Sequence, residues 1–147
     1  MKFSHVGISV TDIDRSIAFY RDLFGMEKLC EVFPFGGEQY SEIMDIAGVE
    51  GRMCMIGNGT VNLELFEFSN PCPKSKDPEY PVSDCGYSHF GFEVEDIAQT
   101  YQQLKDAGVR IHSPVMTFMG GGMKAICARD PDGNVFEVMQ PGKPASV

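Results

Sequence analysis

Ser4-His5-Val6-Gly7-Ile8-Ser9-Val10-Thr11-Asp12-Ile13 returns 84 residues later as Ser88-His89-Phe90-Gly91-Phe92-Glu93-Val94-Glu95-Asp96-Ile97. Six of the ten pairs are identical: Ser, His, Gly, Val, Asp and Ile. Each copy opens one half of the chain. Each half closes on a strand-like run with a central glutamate, Val61-Asn62-Leu63-Glu64-Leu65-Phe66 and Val135-Phe136-Glu137-Val138-Met139. A long internal repeat decides architecture before any local pattern does. Here it predicts two copies of one unit related by a pseudo-twofold axis. One His and one Glu in each copy point to a metal on that axis.

Working outward, residues 3–10 alternate and are β-rich, so they read as a strand. Asp12 stands where a helix N-cap belongs, its carboxylate able to accept from the free amides of the first turn. Ile13, Ile17, Tyr20 and Phe24 follow at helical spacing, and Gly25 supplies the left-handed residue past the end. The second half repeats the design. Asp96 caps, Ile97, Tyr101 and Leu104 form the apolar stripe, and Gly108 stops the helix. Strands are expected at 27–33, 52–57 and 60–68, then at 109–113, 123–129 and 134–140. The fold class is therefore α+β: two tandem βαβββ modules, residues 1–68 and 86–141, in a single domain of 147 residues. Pro71, Pro73, Pro78 and Pro81 mark 69–85 as the linker, and 142–147 as a tail.

Strand alternation sharpens the metal reading, because successive side chains point to opposite faces. Val6, Ile8 and Val10 share the face that packs on the helix, which leaves His5, Gly7 and Ser9 on the other. Val61, Leu63 and Leu65 take the helix side of the later strand. Asn62, Glu64, Phe66 and Phe68 then face the same way as His5. Phe90, Phe92 and Val94 place His89 likewise, and Glu137 has an apolar neighbour on each side. The set His5, Glu64, His89 and Glu137 offers two imidazoles and two carboxylates. Such donors suit a divalent Zn, Ni, Co, Fe or Mn ion with room for water or a substrate oxygen. A lone strand histidine or glutamate is more often structural, but matched pairs in both halves favour a site, since buried unpaired carboxylates are costly.

Bulk properties narrow the partners. Apolar content of 43% is that of an ordinary globular chain. The net charge of −9 disfavours nucleic acid and anionic membrane as partners. No apolar run approaches a membrane span, and the N-terminus lacks the basic start and apolar core of a signal segment. The five cysteines show no metal-finger spacing and read as reduced thiols in a cytoplasmic protein.

The two openings, Tyr20-Arg21-Asp22-Leu23-Phe24-Gly25-Met26 and Arg129-Asp130-Pro131-Asp132-Gly133-Asn134-Val135-Phe136-Glu137 together resemble the vicinal-oxygen-chelate superfamily. That group includes glyoxalase I, methylmalonyl-CoA epimerase, extradiol dioxygenases, and fosfomycin- and bleomycin-resistance proteins. The resemblance covers nearly the whole chain and is most specific at the Asp-Pro-Asp-Gly turn. It implies a cup of two βαβββ modules around one divalent metal, with ligands at His5, Glu64, His89 and Glu137. It implies a lyase or isomerase acting on a small oxygenated metabolite, with Glu64 or Glu137 as the base. It also implies a homodimer, whose interface covers open sheet edges.

Two rivals remain. An extradiol-type Fe(II) dioxygenase uses two His and one carboxylate, and Glu64 fills the place that triad leaves without a ligand. A metal-free antibiotic-binding protein lacks the ligands altogether. Glutathione-using glyoxalase I has Arg four residues after the first ligand and Asn four after the second; here Ser9 and Phe68 stand there. Two glutathione contacts are thus missing. Gly120-Gly121-Gly122-Met123-Lys124 is similar to a substrate-covering loop. His112 reads as a surface histidine, and Glu67 as a solvent or interface charge on the far side of its strand from Glu64. Phe33, Phe35, Phe66, Phe68, Met116, Phe118 and Met119 are candidates for an apolar lining.

Overall fold

The computed structural model describes residues 1–74, 77–118, 120 and 122–142. It divides the chain into two compact units, Met1–Ser75 and Lys76–Val147. Unit one runs β1 (Val6–Ser9), α1 (Ile13–Phe24), β2 (Glu27–Lys28), β3 (Phe33–Gly36), α2 (Glu38–Met44), β4 (Glu50–Gly57) and β5 (Asn62–Asn70). Unit two runs β6 (Phe90–Glu93), α3 (Ile97–Asp106), β7 (Arg110–Ile111), β8 (Met116–Phe118), β9 (Met123–Arg129) and β10 (Val135–Pro141). The strand order is β1-β5-β4-β2 in one sheet and β6-β10-β9-β7 in the other. In each, the opening strand lies parallel to the closing strand, and the remaining pairs are antiparallel.

Each sheet has five strands rather than four, and the reason is a broken outer strand. β2 and β3 both pair with β4, and β7 and β8 both pair with β9. Glu27 faces Gly57, so an unbroken ladder would set Phe33 against Gly51, but it faces Met53, two residues on. Arg110 faces Arg129, so Met116 would meet Met123, but it meets Ala125, again two residues on. Counted by position, each half is βαβββ with the same two-residue shift in its outer strand. The expected strand over 27–33 is thereby split, and that over 109–113 shrinks to β7 with β8 beyond it. Helix α2 falls in a stretch for which the sequence suggested no element. Its seven residues include none that is fully buried, and its apolar signal is one short turn, Tyr40, Ile43 and Met44, of which Tyr40 and Met44 pack against the Phe35 cluster.

The helices form where the repeat places them. Asp12 is extended and accepts from the Arg15 amide at 3.0 Å; Asp96 accepts from Ala98 at 2.9 Å and Gln99 at 3.1 Å. Gly25, at φ 61°, closes α1 by donating to the Arg21 carbonyl at 3.0 Å, and the Met26 amide donates to the Tyr20 carbonyl at 3.2 Å. α1 packs on β4 and β5, and Ile13, Ile17 and Tyr20 of the helix are buried, as are Ile8, Ile56, Leu63 and Leu65 of the sheet. In unit two, Ile97 and Leu104 are buried with Phe90, Phe92, Ile126, Phe136 and Val138. Burying side chains of this size stabilises each sheet–helix layer by about 1.5–3 kcal/mol per residue. The apolar faces are thus committed to the helices, which leaves His5, Glu64, His89 and Glu137 on the opposite faces. Gly121 and Met119 lie outside the described residues, so the Gly120–Lys124 loop is described only at its other positions. No helix among the described residues is long and apolar enough to cross a membrane.

Candidate metal-binding site

In unit one, Gly7 of β1 stands opposite Glu64 of β5, and His5 lies two residues before Gly7 on the same face. The His5 Nε2 comes within 3.1 Å of the Glu64 carboxylate. In unit two, Gly91 stands opposite Glu137, and the His89 Nε2 lies 4.0 Å from the Glu137 carboxylate. The four side chains keep 37%, 18%, 40% and 27% of their surface for His5, Glu64, His89 and Glu137. They are half-sheltered but open to a ligand. Both histidines stand just ahead of their strands rather than inside them.

The glycine between each pair keeps the floor low. A Cβ on Gly91 would lie 3.7 Å from the Glu137 Oε2, and one on Gly7 would lie 3.6 Å from the Phe66 ring. A methyl group would fit at either place, but anything longer would rise toward the Glu137 carboxylate at Gly91 and the Phe66 ring at Gly7. Each unit therefore offers one imidazole nitrogen and one carboxylate oxygen over an open floor, donors that fit a borderline divalent ion. Among the described residues, no three or more His, Cys, Asp or Glu side chains gather around one point.

Glu137 owes its placement to the turn before it. Asp130 accepts from the amides of Asp132 at 2.9 Å and Asn134 at 2.8 Å, and the Asn134 side chain donates to its other oxygen at 3.0 Å. Gly133 takes φ 82°, a left-handed conformation that suits glycine. Arg129, 6% exposed, donates to the Gly133 carbonyl at 3.0 Å and to the Tyr80 carbonyl at 2.7 Å. It also lies over the Tyr80 ring and donates to His112 Nε2 at 3.1 Å. Burial, with the Arg129 and Arg110 charges, holds the His112 imidazole below its usual range, so it stays a neutral acceptor. His112 is exposed at the surface, and its partner is the arginine that braces this turn.

Two neighbours of the site escaped the sequence reading. Met55 faces Glu64 across the β4–β5 ladder, and Cys127 faces Glu137 across β9–β10. Burial and the Glu137 charge push the Cys127 thiol up. Antiparallel counting back from each glutamate would have found both. The aromatic candidates divide. Phe35 is buried with Met53 and Val49, and Tyr40, Phe66 and Phe68 pack against them. Phe66 and Phe68 stack at 5.8 Å, and Phe35 stands edge-on to both. Phe33, Met116 and Phe118 are exposed.

The sequence model of the Glyoxalase/Bleomycin resistance protein/Dioxygenase superfamily matches residues 2–138, and the chain belongs to that superfamily. Lactoylglutathione lyase GLX1 of Arabidopsis thaliana is 29% identical over 145 residues, which make up 96% of this chain and 44% of the relative. The chain thus spans less than half the length of that plant protein. The uncharacterized protein YaeR of Escherichia coli is 32% identical over 106 residues, 72% of this chain and 70% of its own length. Among solved structures, a glyoxalase family protein from Bacillus cereus superposes with a TM-score of 0.85 at 20% identity, covering 96% of this chain and 94% of that one. That likeness shows the fold.

Proposed function

We propose that the protein is a divalent-metal-dependent lyase or isomerase of the glyoxalase kind, acting on a small oxygenated metabolite. The observation that carries this reading is the His–Glu pair repeated at matched register in both sheets. His5, Glu64, His89 and Glu137 would hold the ion, a Zn, Ni, Co, Fe or Mn. When bound, that ion would supply Lewis acidity toward two adjacent substrate oxygens. Glu64 or Glu137 would take a proton from the carbon beside the carbonyl and return it to the neighbouring position. Both carboxylates retain enough exposure to reach a substrate. Ser9 and the packed Phe68 ring offer no cation or amide for a glutathione carboxylate at those two places, which favours a small oxygenated metabolite over a glutathione hemithioacetal as the substrate.

The test combines metal analysis with proton exchange. Protein loaded with each of the five ions in turn is assayed for exchange of the C–H beside the carbonyl of a hydroxyketone or hydroxyaldehyde in D2O, and at least one loaded form should exchange it. Chelation should stop the exchange, and one ion should restore it. Oxygen uptake with the Fe(II) form would identify a dioxygenase instead. Unchanged metal content and exchange in a Glu64→Gln, Glu137→Gln double variant would sink the four-ligand site.

A further inference from the structure

The residue before each site histidine is serine in both copies of the repeat. The Ser4 hydroxyl lies 3.1 Å from His5 Nδ1, and the Ser88 hydroxyl lies 3.1 Å from His89 Nδ1. Two sheets whose His–Glu distances differ, 3.1 Å against 4.0 Å, thus repeat this contact at the same length. In unit one the serine backbone is itself anchored, because the Asn62 side chain on β5 donates to the Ser4 carbonyl at 3.3 Å.

The contact has a chemical use. A neutral imidazole carries its proton on one nitrogen and accepts at the other. With the proton on Nε2, His5 donates to Glu64, and the Ser4 O–H donates to Nδ1. With the proton on Nδ1, His5 donates to Ser4, and Nε2 presents a free lone pair beside the carboxylate. A hydroxyl serves both states because it rotates and both donates and accepts. A carboxylate or carbonyl partner would hold only the second state, and an amide N–H only the first.

We propose that Ser4 and Ser88 are positioning residues that keep the two imidazole rings aimed as ligands while the proton passes from Nε2 to Nδ1 on metal binding. The proposal rests on the reading of His5 and His89 as ligands. Partners of this kind orient ligand histidines, and their loss typically weakens metal affinity about 10- to 100-fold.

Zn(II) is the probe, titrated calorimetrically into wild type, Ser4→Ala, Ser88→Ala, the double Ser→Ala variant, Ser4→Thr, Ser88→Thr, His5→Ala and His89→Ala. Each serine-to-alanine change should weaken binding about 10- to 100-fold, and threonine should restore it. Nitrogen NMR of the histidine rings supplies a second readout. The Zn(II) form of wild type should carry its protons on Nδ1, and those protons should exchange with water faster in the alanine variants. If His→Ala proteins bind Zn(II) as wild type does, the ligand reading itself fails. If the His→Ala proteins lose Zn(II) while Ser→Ala proteins keep wild-type affinity and exchange, the serine role alone is overturned. Weakened binding that threonine does not restore also overturns it, because the hydroxyl is then not the cause.

Discussion

Glu67 and Gln140 each stand three residues past a site glutamate, and each reaches over to a helix N-terminus. The Ile13 amide donates to Glu67 at 2.8 Å, and the Ile97 amide donates to Gln140 at 3.1 Å. Three residues on from an inward glutamate is the helix face of the sheet, so alternation placed Glu67 on the right side. It could not show that the helix begins beside it, because that adjacency comes from the parallel pairing of opening and closing strands. The two caps differ in that Glu67 titrates and is also paired with Arg52 at 2.7 Å. Burial pushes its carboxyl up, but the Arg52 guanidinium and the Ile13 amide outweigh that and hold it below the ordinary range. A depressed carboxyl stabilises the fold above its unfolded value of about 4.3, and that stability is lost as pH falls through the folded value. Glu67→Gln should therefore flatten the acid limb of a urea-melt series without moving the fold. Glu67→Ala and Gln140→Ala should each cost about 1 kcal/mol at neutral pH. An acid limb as steep in Glu67→Gln as in wild type would refute the assignment.

At the scale of elements, the repeat made the two long helices and the site strands readable. Asp caps, apolar stripes and closing glycines all speak locally, and the Asp130–Asn134 turn announces β10. The outer strands and α2 were not readable, because what fixes them is contact with the face of another strand. Gly51 shows why. Phe35 of β3 lies across it, so an added Cβ would collide with the Glu67 carbonyl and come within 2.7 Å of the Phe35 ring. β3 seats its aromatic ring where β4 has no side chain, and no spacing rule in the sequence encodes that fit. Gly51→Val should destabilise the protein by about 1–3 kcal/mol through overpacking. Phe35→Leu in the same chain should recover part of the loss, and thermal melts of the two variants and their combination would measure it.

For the whole molecule, the duplicated pairs raise the question of which halves work together. The sheets have open edges at β1 and β6, and we expect a homodimer that covers such edges. Light scattering at micromolar concentration checks this, and a monomer mass would rule it out. Mixing His5→Ala with His89→Ala protein then tells whether the four ligands come from one chain. Sites built within a chain stay inactive after mixing. Sites built across an interface regain partial activity, because one site in each mixed dimer has all its ligands.

The connection from the outer strand to the next strand is residues 37–49 in one half and residues 119–122 in the other. The order of the elements otherwise matches in the two halves, down to the two-residue slip in the ladder. The scaffold therefore has a separable port: sequence enters there without shifting β5 or β10, the strands that bear the carboxylates. α2 occupies that port in one half, and with it Tyr40 comes to rest 5.3 Å from the Phe35 ring. A chain doubled in this way can vary at one joint in one half while the strands that carry His5, Glu64, His89 and Glu137 keep their common pattern.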